Sequence, residues 1–229
     1  PVLPLSVLLT VLFVVGSAII GQNVLGLLLA VLFRAGSSAV AGTVGVIVVT
    51  AWVLPEIVAA FVGYAFLSAD GTLNGALSLI GVAGPNWLYA LPMLAIILAN
   101  TWRGTAFSML IYRAALDDVP PEVTESAMID GAGAWQRLRF ITLPMITGTI
   151  FTNLLLTTLQ TLSVFTLIWV MTKGGPGDLS ATLPVFAYSQ AFSFGDIGYG
   201  NAIAIVMLAL GAVFSLAYVL SLRRRGSVS

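Results

Sequence analysis

The sequence predicts an all-α bundle of membrane-spanning helices. Three observations carry that prediction. Of 229 residues, 59% are hydrophobic and only 8% are charged, against about 25% charged in an ordinary soluble domain. The mean hydropathy is +1.06, so apolar stretches dominate along the whole length. Five separate runs are long enough to cross a bilayer, which takes roughly 20 apolar residues. Long runs rich in Leu and Ala, without period-two alternation, do not read as barrel strands.

The runs cover about residues 4–33, 43–68, 88–112, 145–171 and 199–222. The first is interrupted only by Gly16, Gly21, Gln22, Asn23 and Gly26. The second has Pro55 and Glu56 near its middle, and the third carries Asn100 and Arg103. The distribution of basic residues sets the expected orientation. If the runs alternate, Arg34, Arg113, Arg137, Arg139, Arg223, Arg224 and Arg225 share one side, and only Lys173 lies opposite. That places 34–42, 113–144 and 223–229 in the cytoplasm, and the loops at about 69–87 and 172–198 outside. The chain starts at Pro1 with an apolar run and no basic leader. This predicts a start inside a longer protein, with about six spans in the whole.

Composition excludes several functions. A net charge of zero gives no basic surface for nucleic acid. Without Cys or His there is no thiol nucleophile, zinc site or His proton relay. No metal or cofactor site is expected. A phosphate-binding Gly-x-x-x-x-Gly-Lys-Ser/Thr motif is also excluded, because the single lysine, Lys173, follows Thr172.

The loops are unequal. RAGSSAVAG at 34–42 reads as a turn, and Asp70-Gly71, Asn74 and Gly84-Pro85-Asn86 are turn signals in the loop at 69–87. Trp87 and Tyr89 suit the membrane interface, and the aromatic stretch Phe186, Tyr188, Phe192, Phe194 and Tyr199 reads as a short interfacial helix. Residues 115–144 form the one long charged loop, with five of the nine acidic residues. Pro120 and Pro121 suit the first turn of a helix. Glu122 and Glu125 follow where negative charge complements the dipole, and Ser126 and Ala127 permit close approach. Gly131 and Gly133 end that helix, and a second amphipathic stretch from Trp135 to Phe140 leads to Pro144 at the start of the fourth span. By physical chemistry alone, such a loop is either a solvated connector or a docking element.

Polar residues inside spans face cavities or other helices. Glu56 and Arg103 lie at similar depths, ~20 Å and ~15 Å from the cytoplasmic ends of their spans at 1.5 Å per residue. They are expected to pair, or to line one polar cavity with Asn100, Trp102 and Gln160; Gln22 and Asn23 lie at similar depth. An ion pair serving only helix packing is the alternative. Gly42, Gly45, Ala59 and Gly63 read as helix-packing positions.

Glu125-Ser126-Ala127, Asp130-Gly131-Ala132 and Ile141-x-Leu143-Pro144 resemble the "EAA" loop of permease subunits of binding-protein-dependent ABC importers, with Ser126 in place of the first Ala. Gly174-Gly175-Pro176, Thr182, Tyr188, Ala191-Phe192 and Gly198-Tyr199-Gly200 resemble the carbohydrate-uptake branch, the maltose and glycerol-phosphate type. The resemblance implies one transmembrane permease domain over 1–229, of the ABC-importer permease fold, in a bacterial or archaeal cell membrane. It implies a coupling helix from Glu122 to Gly131, with Glu125 paired to a basic group on a cytoplasmic ATPase dimer and Gly131 allowing the sharp turn. A second permease subunit, a different homologous chain, and an extracytoplasmic solute-binding protein are the other implied partners besides lipid. ATP and magnesium would be used by the ATPase, not by this chain. The runner-up readings are an importer of glycerol phosphate, amino acid or peptide, a secondary transporter and, least supported, a membrane enzyme.

Overall fold

In the computed structural model, residues 2–36 and 38–226 are described. Ser37 in the expected linker and Ser227–Ser229 of the tail lie outside them, as do Pro1 and the side chains of Arg223, Arg224 and Arg225.

The first span is one helical stretch. It comprises α1 (Val2–Phe13), a π-helical segment (Val14–Gln22) and α2 (Asn23–Ala35). The wider π turn coincides with Gly16 and Gly21 and turns Gln22 and Asn23 inward, where both are buried. Then follow α3 (Ser38–Val53), α4 (Glu56–Leu67), α5 (Thr72–Leu79) and α6 (Trp87–Ala90). The third span is α7 (Pro92–Asp117). It starts later and ends later than expected, because Pro92 supplies the first turn and Leu91 is non-helical.

The loop carries α8 (Pro121–Ile129) and α9 (Ala134–Arg137), which continues through a π turn (Leu138–Thr142) into α10 (Leu143–Met145). Next come α11 (Thr147–Leu162), α12 (Thr166–Thr172), α13 (Leu183–Tyr188) with a π turn at Ser189–Ser193, and α14 (Ile197–Gly226). Among the described residues, four stretches are long and apolar enough to cross a membrane, Val2–Arg34, Glu56–Leu79, Pro92–Asp117 and Ile197–Ser221. A fifth forms if Ala134–Met145 and Thr147–Leu162, bent by 68°, count as one.

Two expected spans are broken. The second divides at Pro55, whose extended backbone (ψ 141°) separates α3 from α4. The fourth divides at Ser163–Phe165, where no Pro or Gly stands. The halves beyond the breaks, α4 and α12, pack side by side: Glu56 meets Leu167 and Gly63 meets Met171, so they run parallel. They share a core cluster with Phe13, Ile96, Ala99 and Val185. A second cluster, Met109, Tyr112, Leu116, Val119 and Ile146, anchors both ends of the charged loop.

The aromatic stretch expected to form an interfacial helix divides: Phe186 is buried in the bundle, whereas Tyr188, Phe192, Phe194 and Tyr199 are exposed. Leu183, Val185 and Phe186 of α13 are buried, with Leu183 and Phe186 against Ile203 of α14. The loop at 69–87 is more ordered than its turn signals suggest. Asn74 donates to the Ala69 and Pro85 carbonyls at 2.8 and 2.9 Å and accepts from Trp87 Nε1 at 2.8 Å. Trp87 is thereby a loop anchor as well as a boundary aromatic.

Candidate coupling loop and membrane polar site

The loop helix α8 is built by local chemistry. Pro120 holds an extended N-cap (ψ 129°), Pro121 fills the first position, where an N–H would be unpaired anyway, and Glu122 stands in the first turn. Its end is a Schellman turn: Gly131 N–H donates to Met128 O at 3.0 Å and Ala132 N–H to Ala127 O at 2.9 Å. That turn needs the left-handed backbone Gly131 adopts, φ 81°. Gly133 then starts α9, its N–H bonded by Gln136 Oε1 at 2.7 Å, and Arg137 clasps Ala132 O at 2.7 Å. Leu143 and Pro144 lie before the 68° bend, and α11 begins at Thr147.

Of the coupling residues, Ala127 is buried, while Glu122, Glu125, Ser126, Asp130 and Gly131 are exposed and Ala132 is half-buried. Asp130, Gly131, Ala132, Gln136, Phe140 and Ile141 border a hollow of about 340 Å³. Around it the surface is strongly apolar, with Ile129 88%, Phe140 71% and Trp135 70% exposed.

Within the membrane segments, Gln22, Asn23 and Asn100 come together as expected from their depth, but as a packing seam. Asn100 donates to Ser17 Oγ at 2.9 Å, and Gln22 donates to the Asn100 carbonyl at 3.2 Å. Asn23 donates to Ala18 O at 2.7 Å and to Thr157 at 3.1 Å, and its Oδ1 accepts from Tyr112 and, at 2.8 Å, from Asn153. Asn153 also donates to Ser108 at 2.9 Å. The seam ties the first span to α7 and α11. The sequence reading did not single out Asn153, Tyr112 or the Thr residues, which are brought to the seam by packing of the first span on α7 and α11.

Glu56 and Arg103 do not pair. The Glu56 carboxylate accepts from Leu167 N–H at 3.0 Å, capping α12 where its helix restarts. No ion pair joins it to Arg103, whose Nε is buried without a hydrogen-bond partner. A freed backbone N–H at a helix start competes well for a carboxylate. Nor does one cavity unite the remaining candidates. Trp102 borders an apolar groove with Leu98, Val62 and Phe66, and Gln160 is exposed. Of the small residues, Ala59 and Gly63 are packed, whereas Gly42 has nothing within 4 Å and borders an open groove with Gly45 and Arg113.

The cap gives a test. Replacing Glu56 with Leu strips the acceptor from Leu167 N–H, and Glu56→Gln keeps one. Glu56→Leu should cost about 1–2 kcal/mol, or about 2–8 °C of melting temperature, with Glu56→Gln close to wild type. Equal melting of the Leu variant and wild type would show that the bond does not hold the half-helix.

The described residues form an all-helical bundle with broken spans and one protruding helix-turn-helix loop. The chain belongs to the family described as binding-protein-dependent transport system inner membrane component, whose model matches residues 22–227. It is 34% identical over 186 residues to the trehalose/maltose transport system permease protein MalF of Thermococcus litoralis, covering 78% of this chain and 61% of that one. It is likewise 34% identical over 181 residues to the sulfoquinovosyl glycerol transport system permease protein SmoG of Agrobacterium fabrum, covering 76% and 58%. The chain thus spans about three-fifths of the length of these curated relatives. The fold superposes on a chain of a bacterial ABC transporter that imports alginate with a TM-score of 0.85, at 25% identity over 96% of this chain and 78% of that one.

Proposed function

We propose that the chain is the permease subunit of an ATP-driven sugar importer. The exposed loop helix carries this reading: Glu125, Ile129, Trp135 and Phe140 are all exposed on the loop, and Asp130, Gly131, Ala132 and Phe140 border a hollow at the turn that follows the helix. That surface suits the cleft of a cytoplasmic ATPase dimer. ATP and magnesium are then the partner's, and this chain transmits the partner's closure through Gly131 and the elbow at Leu143-Pro144 into α11. The coupling loop and the C-terminus face the cytoplasm, following the arginine asymmetry.

The relatives' names support sugar as the cargo class, and an extracytoplasmic binding protein would deliver it. A second, homologous permease would complete the pathway. The seam residues Gln22, Asn23 and Asn100 are committed to neighbouring helices. Trp102, Gln160 and the partly buried Arg103 keep groups free for that pathway.

Co-purification of the assembled importer tests the docking. Glu125 is exposed, so Glu125→Lys should leave melting within about 0.5 kcal/mol of wild type. Retained ATPase should fall by about tenfold or more, the loss of ~1.4 kcal/mol or more that truncating a docked charge produces. Unchanged ATPase recovery and unchanged stimulation by a binding protein would refute the assignment of this loop.

A further inference from the structure

At the end of the bundle opposite α8, the last turns of α4 and α12, the segments that follow them and α6 border an open cavity of about 670 Å³. It is separate from the polar seam and from the coupling loop. Its polar lining is Tyr64, Ser68, Asp70, Asn86, Tyr89, Thr172 and Lys173. We propose that this cavity is a binding subsite for an uncharged sugar, a first resting place on the delivery side; the proposal rests on the sugar-importer reading above.

Four observations carry it. The volume lies within the roughly 300–1,000 Å³ of small-molecule sites. All but Thr172, whose hydroxyl bonds the Ile168 carbonyl and Ser180, hold their side-chain donors and acceptors uncommitted among the described residues. Asn74 and Trp87, in the same loop, are by contrast consumed in holding it. The uncommitted set matches a sugar's two faces. The rings of Tyr64 and Tyr89, 47% and 68% exposed, offer apolar surfaces with a polar tip, and the serine, amide, carboxylate and ammonium can meet a ring of hydroxyls. Asp70 and Lys173 bring one charge of each sign, so neither a phosphate nor a cationic group is favoured over a neutral polyol.

The fourth observation concerns Lys173. The single lysine of the chain follows α12 in a left-handed conformation, φ 53°. Glycine usually occupies that helix-ending position, and a side chain there costs on the order of 1 kcal/mol. Strain of this kind gathers at ligand clamps, and here it directs an ammonium to the rim of the cavity. A sugar held there touches the free ends of the two half-helices that Glu56 joins at their other ends.

The test uses the complete importer in lipid nanodiscs without its binding protein, probed by saturation-transfer NMR with maltose and with trehalose. Transfer to the sugar ring protons is expected in wild type and should fall at least about threefold in Tyr64→Ala/Tyr89→Ala. Lys173→Met, at an exposed position, should weaken it as well and keeps the test available if the double variant does not assemble. Equal transfer in wild type and variants overturns the subsite. So does transfer that anionic lipid abolishes and zwitterionic lipid restores, which would make the cavity a headgroup site. Variants that change only the binding-protein concentration needed for half-maximal ATPase stimulation would make it a protein contact. An importer whose ATPase responds to the binding protein but which takes up neither sugar nor lactose defeats the sugar reading itself.

Discussion

Gly26→Leu should prevent the bundle from closing. A Cβ at this position would stand 2.5 Å from Ser108 Cβ and 2.9 Å from the backbone nitrogen of Met109. Backbone cannot rotate away as a side-chain tip can, so α2 and α7 would have to separate. Gly21 against Thr101, and Gly104 against the Gln22 side chain, make the same close approach higher on the seam. In lipid the helices have no hydrophobic drive toward each other, and close van der Waals packing through small residues has to supply it. Overpacking alone costs about 1–3 kcal/mol, and separating the pair would also stretch the hydrogen bonds of the seam. The expected result is a sharp loss of monodisperse protein in size-exclusion chromatography. Gly148→Leu is the control, since nothing lies within 4 Å of a Cβ there. If both variants purify and melt alike, tight contact between α2 and α7 is not what holds the bundle.

Asn23→Leu should be the most damaging change of a polar residue. The Asn23 side chain serves four partners: Ala18 O, Thr157, Tyr112 and Asn153. Leucine fills similar space but leaves the Tyr112 hydroxyl and one Asn153 N–H without that acceptor. An orphaned buried group costs about 1–3 kcal/mol in proteins generally, and interhelical bonds in membranes average nearer 0.6. A total of about 2–4 kcal/mol follows, or a melting temperature lower by roughly 5–10 °C. Asn153→Leu removes part of the same network. The double variant should therefore fall short of the summed single losses by more than the ~0.5 kcal/mol within which independent sites add. Strict additivity would mean that the two amides do not act as one unit.

The coupling loop was largely legible because its shape is decided within a few residues. Pro120, Pro121 and Glu122 announce a helix start, and Gly131 announces its end, and each does in the structure what its backbone chemistry requires. The elbow was less legible. Pro144 reads as the start of the fourth span, but the amphipathic stretch from Trp135 runs through Leu143-Pro144 before the chain turns by 68°, a bend that no residue type at Ile146 announces. The membrane site was legible only as an inventory of polar residues at similar depth. Depth along a helix can be counted from sequence, but azimuth depends on the π segment at Val14–Gln22, which has no reliable local code.

By itself, then, the sequence determined a membrane-embedded helical chain, five apolar runs and the helix-turn-helix of the charged loop. Tertiary structure alone decided that the fourth run would break at Ser163, that Glu56 would cap α12 rather than meet Arg103, and that Asn23 would bond Asn153 across 130 residues of chain. The physical reason is the range of the forces. Proline, left-handed glycine and apolar length act within one or two turns. A buried donor or acceptor inside a membrane must be satisfied by whichever partner packing brings near, and packing is a property of the whole bundle.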